Sequence, residues 1–260
     1  MHQSYTDQGR AVILDFDGTL STLRCGWESV MRPMMLEMID PEHPDDPALA
    51  AEVDQYIDES TGIQTVYQMQ WLAQKIIQRG VNPERHDEWW YKDVYHHRLM
   101  EAVQKRIDRV QKGEDAPECY LIKGSKAFLD LLKELGFALY VASGTDDVNV
   151  RQEVEVLGLT TYFDDICGAP DRQAACSKEM VIHRLMEQKG FSGQNLLIVG
   201  DGKVEIGLGK AAGGRTLGVA SDETRRCGIN PAKEVRLRAA GADAMIGDYT
   251  DLDWLRRWIG

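Results

Sequence analysis

Residues Ala11–Leu20, AVILDFDGTL, restrict what this chain can fold into more than any other stretch. Four apolar residues, Ala11 to Leu14, run straight into Asp15, and Gly18-Thr19 then breaks the run. A continuous apolar run closed by a turn signal reads as a buried parallel strand, and open α/β sheets place their chemistry at the carboxyl ends of such strands. Asp15 and Asp17 stand there two apart. Two carboxylates crowded at a strand end repel unless they share a cation, and all-oxygen ligands suit a hard metal. A strand-end turn rich in Asp and Gly is the plain alternative.

The stretch that follows has a different texture. From Trp27 to Lys112 little reads as strand and much reads as helix. Trp27–Ile39 is rich in Met and Leu, and Pro41–Pro47 (PEHPDDP) breaks the chain and supplies Asp caps for the next helix. Gly62–Arg79 carries Ile63, Val66, Tyr67, Leu72, Ala73 and Ile76 at near-helical spacing. Pro83 opens a long amphipathic stretch with Val94, Leu99, Val103, Ile107 and Val110 on one face, closed by Gly113 and Pro117. The spacing predicts one helical module set between the first strand and the second.

From Cys119 onward helices and strands alternate. Strands are expected at Phe137–Ser143, from Asp165, at Leu196–Asp201, at Arg215–Ala220 and at Ala242–Gly247. Helices are expected at Gly124–Leu135, up to Leu157, at Lys178–Gln188, at Glu205–Ala212 and near Pro231–Ala240. Such alternation argues an α/β fold, a Rossmann-like parallel sheet core with helices on both faces and an inserted all-helical cap domain. The expected division is residues 1–23 and 120–260 for the core and 24–119 for the cap, with linkers near Ser21–Gly26 and Gly113–Lys123.

Three more polar features fall at strand ends: Ser143-Gly144-Thr145, Lys178 after the polar loop DRQAACSK, and Asp201 within GDGKVEI. With Asp15 and Asp17 they form an ordered set, Asp-x-Asp, Ser, Lys, Asp. This set resembles the four motifs of the haloacid dehalogenase superfamily of phosphohydrolases. The intervening segments IKGSKAFLDLLKELGF, LGLTTYFDDICGA and KAAGGRTLGV are similar to those of its phosphoglycolate phosphatase and β-phosphoglucomutase branch, which carries a helical cap between the first two motifs.

The resemblance implies a Mg²⁺-dependent phosphatase of a small phosphorylated metabolite, working through an aspartyl-phosphate. It implies Asp15 as nucleophile, Asp17 as acid and base, and Ser143, Gly144 and Lys178 as phosphate-binding. The Asp15 carboxylate, the Asp17 carbonyl and Asp201 would hold the metal. The chemistry agrees: a carboxylate can attack phosphorus when cations offset the approaching charges. A sugar-phosphate mutase would use the same residues; a phosphonatase-like hydrolase or a non-catalytic scaffold are further alternatives. Phosphonatases lack the acid at Asp17 and use a cap lysine, whereas the first lysine after the first motif here is Lys75, well inside a cap helix. Family members carry a second Asp where this chain has Glu205, which would act through a metal-bound water or hold Lys178.

Arg24, nine residues after Asp15, reads either as a surface arginine or as a contact for an anionic substrate group. Ser60-Thr61-Gly62 resembles the branch's specificity loop, and a helix N-cap accounts for it equally. Trp89-Trp90 reads as core or cap-interface packing. GLGKAAG mimics a dinucleotide fingerprint, but it follows a helical stretch instead of opening one.

Lys and Arg total 30 against 42 Asp and Glu, a net charge of −12. An acidic surface repels phosphate backbones, so neither nucleic acid nor an anionic membrane is an expected partner. The five cysteines (Cys25, Cys119, Cys167, Cys176, Cys227) show no CxxC spacing and read as reduced thiols. The opening MHQSYTDQGR has no apolar h-region and no later run approaches membrane-spanning length, so a soluble, cytoplasmic protein is expected; a monomer or homodimer is the expected state.

Overall fold

Along the first strand, β1 (Arg10–Leu14), side chains alternate between two packed faces. Val12 and Leu14 join one apolar cluster with Phe128, Leu132 and Val154; Ala11 and Ile13 join another with Val181, Ile182 and Leu185. A strand buried on both faces needs an unbroken apolar run, which is why Ala11 to Leu14 shows no polar alternation. This is a computed structural model of the chain, describing residues 9–170, 172, 177–191 and 193–260. The opening segment, part of the polar loop before Lys178, and Cys176 lie outside the described residues.

Between β1 and the second strand come four helices: α1 (Glu28–Ile39), α2 (Pro47–Glu59), α3 (Thr65–Arg79) and α4 (Glu88–Gln111). The expected Asp cap is there: Asp46 accepts the Ala48 N–H at 3.0 Å, with Pro47 in the first turn. The longest helix starts later than Pro83 implied, because Asp87 caps it through the Trp90 N–H at 2.8 Å. Its buried face is Tyr91, Tyr95, Leu99, Val103 and Ile107, spaced four apart; Val94 and Val110 are only half-buried. Trp90 is 40% exposed and stacks on His86, so it is not core. Ser60 caps the C-terminus of α2, whereas Gln64 sits at the N-cap of α3.

The remaining elements are α5 (Ser125–Glu134), β2 (Phe137–Asp146), α6 (Asp147–Val156), β3 (Asp165–Ala169), α7 (Ser177–Lys189), β4 (Leu196–Gly200), α8 (Lys203–Ala211), β5 (Arg215–Val219), α9 (Pro231–Ala239), β6 (Ala244–Ile246) and α10 (Leu252–Ile259). Among the described residues six strands form one sheet, all parallel, in the order β3-β2-β1-β4-β5-β6. In register, Leu14 faces Val141 on one side and Val199 on the other. The chain therefore leaves β1 in one direction and resumes beside it in the other, the topological switch point at which open sheets form a crevice. GLGKAAG lies in α8 and the turn after it, a connecting helix. The last helix, α10, has no counterpart in the sequence reading; it buries Leu255 and Ile259 and ties to α5 through Arg256 and Glu134.

Candidate active site

The carboxyl ends of β1, β2 and β4 bring Asp15, Ser143 and Asp201 together across residues far apart in sequence, and the start of α7 adds Lys178. Asp15, Asp17, Ser143, Gly144, Lys178 and Asp201 line one cavity of about 120 Å³. The helical insertion roofs it with, among others, Gln68, Tyr95 and Leu99. The turn after α2 rests on the sheet loops: a Cβ on Gly144 would lie 3.3 Å from the Ile63 carbonyl oxygen.

Gly18 shows why the first motif turns so tightly. Its φ is +73°, a conformation that favours glycine, and a Cβ there would lie 2.2 Å from Oδ2 of Asp201. The turn thus carries Asp17 past the strand end and lets the β4 carboxylate close up against it.

Lys178 is buried between two acids, with Nζ 3.1 Å from Oδ1 of Asp15 and 2.8 Å from Oε2 of Glu205. Burial would drive its ammonium down, but the two carboxylates more than reverse this and hold it above the ordinary lysine range. Burial pushes the Asp15 carboxyl up, Lys178 pulls it down, and Glu205, Asp201 and Asp17 add to the rise. Glu205 does hold Lys178, one of the two roles open to it; its other oxygen accepts the Gly202 N–H at 2.5 Å, capping α8.

Asp17 receives the Thr145 hydroxyl on Oδ2 at 2.8 Å, while its buried Oδ1 has no hydrogen-bond partner. Arg24 is no surface arginine. Its side chain is 11% exposed, lines the cavity, and stands with Nε 3.8 Å from Oδ1 of Asp17. Nε and Nη2 both reach Oε1 of Glu153, a residue on α6 that is 1% exposed. Lys75, by contrast, is not among the cavity residues and pairs with Glu52 on α2.

Sequence reasoning missed three residues here: Glu153, Glu223 and Lys233. Lys233, on α9, lies 2.6 Å from Oδ2 of Asp201 and 2.6 Å from Oε1 of Glu223. None of the three had a local signal, whereas Thr145 belongs to the Ser143-Gly144-Thr145 stretch. Asp15, Asp201 and Glu205 are all buried and offer carboxylate oxygens within 4.8 Å of one another, the one such acid-containing cluster among the described residues. No helix among them is long and apolar enough to cross a membrane.

A phosphoglycolate phosphatase of Neisseria gonorrhoeae is 24% identical over 214 residues, 81% of this chain and 79% of that protein. A phosphoglycolate phosphatase of Haemophilus influenzae is 29% identical over 127 residues, 49% of this chain and 53% of that one. Among solved structures, a β-phosphoglucomutase of Clostridium difficile superimposes with a TM-score of 0.62 at 15% identity, covering 95% of this chain and 96% of that chain. A hydrolase of Bacillus subtilis, solved bound to magnesium, gives 0.56 at 17%, covering 96% and 99%. At such identities the structural likeness speaks to the fold. The sequence profile of the family described as haloacid dehalogenase-like hydrolase matches residues 12–219, and the chain belongs to that family.

Proposed function

We propose that the protein is a Mg²⁺-dependent phosphatase that hydrolyses a small phosphorylated metabolite through an aspartyl-phosphate on Asp15. The observation that carries this reading is the convergence of Asp15, Asp17, Ser143, Lys178 and Asp201 on one roofed cavity. The phosphatases named among its relatives support the same reaction class.

The donor set suits Mg²⁺: it is all oxygen, buried and rich in charge. The Asp15 and Asp201 carboxylates and the Asp17 carbonyl would hold the ion. Both oxygens of Glu205 are already engaged, by Lys178 and by the Gly202 N–H, so its part is to fix Lys178. Bound there, the ion would draw charge from the phosphoryl oxygens.

The chain's own groups then divide the work. Ser143 and the Gly144 N–H hold the phosphoryl group, and Lys178 offsets the charge that builds as two anions approach. An Asp15 oxygen bonds to phosphorus while the ester P–O bond breaks, and Asp17 gives its proton to the departing oxygen. In the second half Asp17 takes a proton from water, whose oxygen bonds to phosphorus as the Asp15–phosphorus bond breaks. The helical insertion, taken as a cap over residues 24–119, keeps bulk water from the first step.

The test is a panel of phosphorylated metabolites with and without Mg²⁺, following both free phosphate and isomerised product, with an aryl phosphate as reference. Metal-dependent phosphate release is expected. Isomerised product without phosphate would replace the phosphatase by a mutase, and no turnover of any ester would leave a scaffold.

A further inference from the structure

The leaving group of such a substrate must lie beside Asp17, and the cation within ion-pair distance of that carboxylate is Arg24, at 3.8 Å. Its fork is already taken: Nε and Nη2 lie 3.0 and 2.6 Å from Oε1 of Glu153, inside the protein. A guanidinium held in this way keeps Nη1 as a donor, but its charge is cancelled by a carboxylate in direct contact.

The other cations in reach are in the same condition. Lys178, also lining the cavity, sits between Asp15 and Glu205. In the small hollow adjoining Arg24, Lys92 pairs with Asp146 at 2.6 Å. His96 lies in that hollow too, and burial together with Arg24 holds it below its ordinary range, so it is neutral near pH 7. Among the described residues, no cation on the leaving-group side is without a carboxylate partner.

We propose that Glu153 determines specificity: by cancelling Arg24 it fits the site to a neutral, hydroxylated leaving group, as in a sugar or polyol phosphate, and rejects one that bears a carboxylate. The proposal rests on the phosphatase reading and deepens it. A carboxylate brought into this pocket would lose its water, find no uncompensated cation and approach both Asp17 and Glu153. Hydroxyls have no such difficulty. They accept from Nη1 and donate to carboxylate or amide oxygens, and cap groups such as Gln68 and Tyr95 are at hand in the cavity lining.

The experiment compares the full-length wild type with Glu153→Gln at about pH 8, with Mg²⁺, where the carboxyl is ionised. The readout is the ratio of kcat/KM for hexose and pentose monophosphates to that for 2-phosphoglycolate. Like charges repel strongly in a pocket that excludes water, so the wild-type ratio for the best sugar phosphate should exceed about 100. Glu153→Gln keeps the shape and frees the Arg24 charge, so the ratio should fall by about tenfold or more, chiefly through a lower KM for 2-phosphoglycolate. The wild-type ranking tests the proposal even if the variant folds poorly. A wild type that prefers 2-phosphoglycolate, or a folded variant with an unmoved ratio, overturns the assignment while aryl phosphate release leaves the phosphatase reading intact. No Mg²⁺-dependent release from any ester overturns both.

Discussion

The Lys233 ammonium lies 2.6 Å from Oδ2 of Asp201, the carboxylate that ends β4. Glu223 holds the same ammonium from its other side chain contact, also at 2.6 Å. Burial would lower the lysine, yet Asp201 and Glu223 hold it above the ordinary range. A fixed cation at this point keeps the acid cluster tolerable while no metal is bound.

Lys233→Met should therefore destabilise the metal-free protein by about 3–5 kcal/mol, the cost of leaving buried charge unpaired. Added Mg²⁺ should restore part of that loss, so the Mg²⁺-induced rise in melting temperature should be larger than in wild type. Thermal melts with and without Mg²⁺ check this. Equal rises in the two proteins would detach Lys233 from the metal site.

Asp15→Asn keeps the shape of the nucleophile and removes its attacking charge. Turnover should fall at least about 10⁴-fold, as when a comparable catalytic unit is broken. Because burial already works against ionised Asp15, the melting temperature should stay level or rise. Activity within about tenfold of wild type would falsify the nucleophile assignment.

Asp17→Asn should separate the leaving groups. An alkyl phosphate needs a proton on its departing oxygen and should lose far more rate than an activated aryl phosphate, which leaves without one. Hydrolysis of the phosphoenzyme should stay slow, giving an early burst of the aryl alcohol with little phosphate. Rapid-mixing assays read both; equal losses with no burst would remove Asp17 from the acid and base role.

The pH dependence of specificity follows from Glu153. Burial pushes its carboxyl up to about 7, Arg24 opposing and Asp17 adding to the rise. The Tyr95 hydroxyl, facing Arg24 from α4, is held neutral by burial. Since the folded value lies above the ordinary 4.5, ionising Glu153 costs the fold stability as pH rises from 4.5 to about 7. Above about 7 Glu153 cancels the Arg24 charge; below it, Glu153 is protonated and Arg24 is left with Asp17 alone, 3.8 Å away. Discrimination against 2-phosphoglycolate should weaken as pH falls through this range, and Glu153→Gln should abolish that dependence. A wild-type ratio that is flat with pH would contradict it.

The fold and the strand ends that carry Asp15, Ser143 and Asp201 were legible from the chain alone, for a local reason. A strand buried on both faces must be an unbroken apolar run, and a turn must follow it, so AVILDFDGTL and LLIVGD announce both strand and strand end. Asp15, Ser143 and Asp201 follow from those positions, and the polar loop before Lys178 marks the start of α7. What the tertiary structure alone decided is which charges meet. Arg24 and Glu153 are 129 residues apart, and Lys233 and Asp201 are 32 apart. In sequence Glu153 and Lys233 look like solvated helix charges, because nothing local distinguishes a charge facing water from one facing a distant partner. Only the packing of α6 and α9 against the strand ends takes these groups out of water, and desolvation is what turns an ordinary Glu into a group that sets the charge of a site.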